Sequence, residues 1–334
     1  MKILNNISLK SFHTFGVDVN ASSLIEIESL SDIYTAKEKG CFNGSFYILG
    51  GGSNVLFLTI PEVIFKICFK GISIIKEDDD YIWITVNAGE NWDDFVRYCV
   101  ENNYGGVENL SYIPGTAGAA PIQNIGAYGT EIKDTLQRLN ALSLTDFSVK
   151  EFSNKECAFG YRDSFFKHKE NGQWIVLDST YRLTKRNHNW VLNYGNIKSF
   201  IENKTLSLEN IRNIVIQQRT AKLPDVSVLG NAGSFFKNPI ISTEKFEQLK
   251  QSYPEIPFFS AANQKIKVPA AWLIEHAGLK GFKKGNVGTY VNQPLVIVNY
   301  GGATTTEIIE FAKMIVRNVS EKFDVELEME VNIV

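Results

Sequence analysis

Residues 113–129 read IPGTAGAAPIQNIGAYG. The stretch holds four glycines, four alanines and two prolines in seventeen residues, and no charge. Its apolar residues follow neither the helical nor the alternating period, so it is neither an amphipathic helix nor a strand. Glycine opens backbone conformations closed to other residues, and small side chains let a backbone approach a large neighbour closely. A long neutral loop of this kind lies against a ligand or packs tightly under a sheet edge. Composition alone admits both readings.

The flanking segments set the fold class. Residues 81–88, YIWITVNA, have the β-branched and aromatic composition of a strand, and 63–69 and 72–76 are two further β-rich runs. Asn91 caps a helix whose Trp92, Phe95, Val96, Cys99 and Val100 share one face. The neutral loop follows, and then 136–144 and 147–152 read as strands with a turn near Thr145-Asp146. Three strands, a helix, a loop and more strands make an α+β order rather than a doubly wound one. Earlier in the chain, LIEIE at 24–28 alternates like a half-buried strand, and 30–39 is a short helix ending at Gly40. Phe46 to Leu49 then runs into Gly50-Gly51-Gly52-Ser53-Asn54. Successive amides in such a turn can face an anion, which makes it a phosphate-cradle candidate. It lacks the GxGxxG spacing of a dinucleotide fold.

Beyond the loop, residues 156–167 place Arg162 and Asp163 between aromatics. Trp174 to Leu183 reads as a strand, and 187–198, with Trp190 and Tyr194-Gly195, as a surface loop. Ser207 caps a helix with Leu208, Ile211, Ile214 and Val215 on its apolar face. That helix ends near Leu223-Pro224, because a residue before proline leaves the helical region, and it is the candidate domain boundary. A second glycine-rich loop, 230–239, carries Ser234. Residues 243–251 and 269–277 read as helices, with His276 as a packed side chain on the second. Leu295 to Asn299 is an apolar strand, and Thr304 with Glu307 forms a capping box ahead of Ile308, Phe311, Ala312, Ile315 and Val319. Residues 325–334 alternate as a closing strand.

Composition excludes several classes of function. A chain of 334 residues, 44% of them hydrophobic, has material for two or three domains with sizeable cores. A net charge of −3 argues against a general nucleic-acid binder, so an anionic ligand must be held by local cations. Cys41, Cys68, Cys99 and Cys157 lie far apart without CxxC spacing, which speaks against a metal site or a disulfide framework and fits reduced thiols in a cytoplasmic protein. No signal-peptide core and no membrane-length apolar run is present.

Seven segments, taken in order, resemble the UDP-N-acetylenolpyruvoylglucosamine reductase family. They are HTFGVDVNA (13–21), ILGGGSNVLF (48–57), the neutral loop (113–129), FGYRDSFFK (159–167), RTAKLPD (219–225), GNAGSFFKNP (230–239) and LEMEV (327–331). The resemblance covers nearly the whole chain, and the Tyr194-Gly195 loop points to the longer branch, in which an extra tyrosine loop covers the substrate. The terminal motif commonly has proline where this chain has Met329, which adds a backbone N–H beside Glu330.

The resemblance implies a cytoplasmic, monomeric flavoenzyme of peptidoglycan precursor synthesis, with FAD and NADPH and no metal. UDP-N-acetylglucosamine enolpyruvate would be reduced to UDP-N-acetylmuramate, with hydride taken from flavin N5, a proton from Ser234, and the enolate stabilised by Arg162 and Glu330. Taken alone, these three read as an ion-paired arginine, a loop serine and one carboxylate on the solvated face of a terminal strand; the order of motifs assigns them chemistry. The implied FAD contacts are Gly50, Gly51, Gly52, Ser53, Asn54, Pro114, Gly115, Thr116, Gly118, Gln123, Asn124, Ile125, Gly126, Ala127 and Gly129. Tyr161, Tyr194, Lys222, Asn238 and Gln293 would bind substrate, with Arg219 and Lys237 nearby. The implied fold is a two-subdomain FAD module of the vanillyl-alcohol-oxidase type, at 1–62 and 63–218, with a substrate domain at 219–322 and the strand 323–334 returning to the second subdomain. Two rival readings are another flavin-dependent oxidase on the same module and a non-catalytic flavin or uridine-nucleotide binder.

Overall fold

The computed structural model describes residues 1–202 and 204–334, with Lys169 described by its backbone alone. The chain divides into two compact units. The first comprises Met1–Ile7, Ala21–Gly52 and Pro61–Arg219; the second comprises Ser8–Asn20, Ser53–Ile60 and Thr220–Val334.

The first unit is built on two sheets. In one, Lys2–Ser8, Asn20–Ile27, Val63–Ile67 and Phe46–Leu49 lie in that order, and Val63–Ile67 runs parallel to both its neighbours. The helix Leu30–Glu38, capped by the Ser29 hydroxyl, supplies Ile33 and Ala36 to the core against this sheet. The other sheet is antiparallel throughout, in the order Val149–Ser153, Leu136–Ser143, Trp174–Thr184, Tyr81–Asn87, Ile72–Glu77. On its inner face lies the helix Trp92–Glu101, whose five buried residues are the five that share the predicted face, and Asn91 accepts from Asp94 N as its cap.

In the second unit, the antiparallel strands Lys283–Lys284, Val287–Thr289 and Ile297–Asn299 pack with the helices Ala270–His276 and Thr305–Phe323 around one core. The capping box at Thr304 and Glu307 forms as read. His276, read as packed, is instead exposed: its ring stacks on Trp272 with centroids 3.7 Å apart, and Nδ1 donates to the Trp272 carbonyl.

Three segments differ from expectation. Lys2–Ser8 is a strand although its sequence, KILNNIS, alternates poorly, because pairing to the next strand supplies its partner. The loop at 187–198 runs into a short helix, Ile197–Ile201, anchored by two buried isoleucines. At the C-terminus, 323–328 alternate buried and exposed, but the chain there pairs only through an isolated antiparallel bridge at Met329 and the two-residue strand Asn332–Ile333. That strand pairs in parallel with Val55–Leu56 of its own unit, not with residues 63–218.

Candidate active site

The neutral loop is fastened along its length. Trp92 N donates to the Gly115 carbonyl (3.1 Å), and the amides of Ala117 and Gly118 donate to the Glu90 and Ala88 carbonyls (2.9 Å each). A side chain at Gly118 would meet Ala88 Cβ at 2.4 Å, so the space this glycine leaves is filled by the protein itself. Gly50 and Gly51 have the same kind of neighbour. A Cβ on Gly51 would lie 2.7 Å from Gly115 Cα, and one on Gly50 would lie 2.7 Å from Thr116 Oγ1. The two uncharged stretches therefore meet at backbone distance. Gly52 is buried at φ +67°, and its amide and that of Gly51 find no protein acceptor among the described residues. Buried N–H groups are seldom left unpaired. Two successive free amides in such a turn suit a phosphate, so the residues present fit the diphosphate of an FAD.

Arg162 sits at the corner of a tight turn in which the Gly160 amide donates to the Asp163 carbonyl (3.0 Å). Its φ is +53°, a left-handed conformation that costs a residue other than glycine about 1 kcal/mol. The guanidinium is held by Nη2 donating to the Gly126 carbonyl (2.6 Å) and lies over the Tyr161 ring at 5.5 Å. Asp163 binds His168 Nε2 at 3.0 Å. Asn124 is buried, and its amide donates to Glu131 Oε2 (3.0 Å) and the Gly160 carbonyl (2.9 Å), while Oδ1 accepts from Lys133 N (3.1 Å). Both of its N–H groups are spent on protein. Asn124 ties the Gly126–Glu131 hairpin to the Arg162 turn, and only its backbone is left to meet a cofactor.

A charged pair anchors the start of the loop. Arg212 donates two hydrogen bonds to Asp93 (2.6 and 2.8 Å), and Asp93 also accepts from Tyr112 N. Burial alone would raise the Asp93 carboxyl, but these bonds and the Arg212 charge outweigh it and hold the group below its ordinary value. Arg219 Nε donates to the Tyr112 carbonyl (3.1 Å). Burial lowers this guanidinium from its usual range, and the charge of Arg162 adds to the effect. Glu108 accepts from the Gly106 amide, yet burial pushes its carboxyl up. Tyr194 lies against the hairpin: a side chain on Gly129 would meet its ring at 2.8 Å.

Ser53, Asn54, Lys222, Ser234, Asn238, Gln293 and Glu330 all fall in the second unit. Ser234 is exposed and directly follows Gly233 at φ +67°. Asn231, nearly fully buried, shapes this turn: Oδ1 accepts from Gly233 N (2.9 Å), and its side-chain amide donates to the Leu229 carbonyl (2.8 Å). Phe235 N donates to the Leu295 carbonyl, and the Phe235 carbonyl accepts from Glu330 N, both at 2.8 Å. The segment carrying Ser234 thus borders the one carrying Glu330. Phe236 bridges Met329 in a pair whose ladder bonds run through Glu328 and Glu330, so the Met329 N–H takes no part and a proline there would lose nothing. Asn54 donates to the Glu330 carbonyl (3.1 Å). Lys237 is paired with Glu328 (2.5 Å), Asn238 Oδ1 accepts from Ala270 N (2.9 Å), and Lys222 is exposed at the end of its helix. Gln293 donates its backbone N–H to Tyr290 and accepts from Val296 N.

Sequence reading passed over Asn231 and a further asparagine, Asn109. For Asn231 the available signal was an asparagine beside turn glycines; Asn109, between Glu108 and Leu110, carried none. Among the described residues the four cysteines are free, and no three His, Cys, Asp or Glu side chains cluster to hold a metal.

Residues 26–146 match the model of an FAD binding domain, and 224–334 match the C-terminal domain of UDP-N-acetylenolpyruvoylglucosamine reductase. The chain is 45% identical to the UDP-N-acetylenolpyruvoylglucosamine reductase of Flavobacterium johnsoniae over 100% of both chains. It is 39% identical to that of Pseudomonas aeruginosa over 100% of this chain and 99% of the other. The crystal structure of the corresponding reductase from Thermus caldophilus superposes with a TM-score of 0.67, covering 99% of this chain and 98% of that one at 23% identity, a likeness of fold. With full-length identity at this level and both domain models matched, the chain belongs to the UDP-N-acetylenolpyruvoylglucosamine reductase family.

Proposed function

We propose that this chain is a flavin-dependent oxidoreductase that reduces UDP-N-acetylglucosamine enolpyruvate to UDP-N-acetylmuramate in peptidoglycan precursor synthesis, using NADPH. FAD, when bound and reduced, supplies the hydride for the enolpyruvyl double bond. The Gly51 and Gly52 amides receive its diphosphate, and the loop from Pro114 to Gly129 lies along the remainder. The first unit forms the FAD module and the second unit the substrate domain.

Charge develops on the substrate carboxylate as the double bond is reduced. Arg162 faces it with a planar fork that can donate two parallel hydrogen bonds. The Ser234 hydroxyl gives its proton to the α-carbon; serine is a weak acid, but an enolate is a strong base. Glu330 polarises the same group. Tyr161, Tyr194, Lys222, Asn238 and Gln293 hold the sugar nucleotide.

One observation carries this reading. In a chain of this family, Arg162 is kept in a strained turn with its guanidinium held on the Gly126 carbonyl, at the edge of a long uncharged loop. Strain of this kind persists where surrounding structure over-determines it, and it concentrates at functional sites. The test is direct. Purified protein should carry a flavin spectrum and oxidise NADPH only when the enolpyruvyl sugar nucleotide is present. Full turnover with oxygen and an alcohol, without that substrate, would overturn the assignment in favour of an oxidase.

A further inference from the structure

Two distant segments of the first unit are joined by one buried side chain. Asn109 is 1% exposed. Its amide nitrogen donates to the carbonyl of Tyr128 (2.8 Å) and to that of Val191 (2.9 Å). Those carbonyls lie 19 and 82 residues away along the chain. Both N–H groups are used, and Oδ1 is buried without a partner among the described residues.

What Asn109 holds on each side matters. Tyr128 lies in the hairpin whose Gly126 carbonyl receives Arg162 Nη2. Val191 opens the segment that brings Tyr194 against Gly129. The two segments also interlock. The Tyr194 ring occupies the space beside Gly129, and the Tyr128 ring occupies the space beside Gly195, where a side chain would meet it at 2.4 Å. Tyr128, Gly129, Gly195 and Asn196 are all at positive φ, so each segment is turned sharply to reach the other. Glycine at both crossings removes the steric block, and Asn109 donates one side-chain hydrogen bond to a carbonyl of each segment.

We infer that Asn109 is a positioning residue for the proposed reaction: it clamps the hairpin that receives the Arg162 guanidinium to the Tyr194 segment, so that the two are ordered together. This rests on the function proposed above for Arg162 and Tyr194. The chemistry of the clamp requires two donors. An aspartate of the same shape offers only acceptors to two carbonyls and repels both. A serine offers one donor, and an alanine none.

The test compares Asn109→Asp, Asn109→Ala and Asn109→Ser by hydrogen exchange and by steady-state kinetics. Exchange should quicken about tenfold or more at both 126–131 and 189–197 in the Asp and Ala variants, less in the Ser variant, and remain unchanged in the strand 136–143. The Michaelis constant for the sugar nucleotide should rise about tenfold, with flavin reduction by NADPH unaffected. Loosening of only one segment would overturn the clamp. So would equal loosening of 136–143, which marks a general loss of stability. If Asn109→Asp fails to fold, the Ala and Ser pair decides the same question. Failure of the wild type to turn over the enolpyruvyl substrate would sink the functional reading while leaving the exchange result to judge Asn109.

Discussion

Gly126→Ala should damage the chemistry while largely sparing the fold. A methyl group at 126 would lie 2.8 Å from Glu131 Cγ and 3.1 Å from both Arg162 Nη1 and the Thr130 carbonyl oxygen. Two of these neighbours resist displacement. Thr130 offers backbone within the hairpin, and Glu131 is committed to Asn124 (3.0 Å) and Lys133 (2.6 Å). The guanidinium is the mobile neighbour, and moving it strains the 2.6 Å bond from Nη2 to the Gly126 carbonyl. A hydrogen bond from a charged donor is worth about 1.5–3 kcal/mol. At about 1.4 kcal/mol per factor of ten, loss of that bond slows an Arg162-dependent step about 10- to 100-fold. Crowding costs the fold about 1–3 kcal/mol, a fall of several degrees in melting temperature. The assay is anaerobic reduction of the flavin by NADPH, followed by rapid mixing with the enolpyruvyl sugar nucleotide. Reduction should proceed near the wild-type rate, and reoxidation should be slower by the stated factor. Gly44→Ala is the control, because its methyl meets the Glu62 side chain and not Arg162. Reoxidation at the wild-type rate in Gly126→Ala, or an equal slowing in Gly44→Ala, would refute the reasoning.

Three further outcomes are expected. Ser234→Ala should leave reduction by NADPH near normal and cripple reoxidation by substrate; equal losses in both half-reactions would mean that Ser234 does not donate the proton. Asp93→Asn should cost about 2 kcal/mol at neutral pH, between the near-zero worth of an exposed pair and the larger cost of breaking a fully buried one. Because the folded carboxyl lies below its ordinary value, this stability is fully present above the unfolded pKa of about 3.9 and is lost as pH falls through the folded value. Urea titrations of wild type and variant should therefore differ by a constant amount above pH of about 4 and converge as pH falls further below it; a gap that stays constant well below that range would contradict the assignment. Gly118→Ala should lower the urea midpoint, and Ala88→Gly in the same chain should restore part of it; no recovery in the double variant would show that Ala88 is not the obstacle.

The parts of this fold that were legible from the sequence are those whose signal is local. Asn91 and the apolar face behind it, and the Thr304–Glu307 capping box, are read from spacing because capping bonds and helix faces span only a few residues. Alternation at 323–328 was equally visible, but it records burial and not pairing. Which strand accepts Asn332 and Ile333 is a long-range fact, and the answer is Val55–Leu56. The side-chain partners of Asn109 and Asn124, two of the buried asparagines, were opaque for the same reason: Asn109 reaches 82 residues along the chain and Asn124 reaches 36. Of the candidate site, the residue types were legible through the order of the motifs, whereas what holds them was not.

The neutral loop makes the distinction sharpest. A run of small residues says that something comes close, but not what. Gly118 is small for Ala88, Gly126 for Arg162 and the hairpin, and Gly129 for Tyr194. Gly51 is small for Gly115, and beside that contact the free amides of Gly51 and Gly52 remain for an anion. Several of the glycines implied as FAD contacts also stack the protein's own segments tightly. On the function proposed above, FAD is left the few backbone groups that this stacking does not pair. Gly118→Ala should then lower flavin content only as far as it lowers stability, whereas Gly52→Ala, at a left-handed position, should lose flavin by turning one amide away, and flavin content measured beside the urea midpoint separates the two.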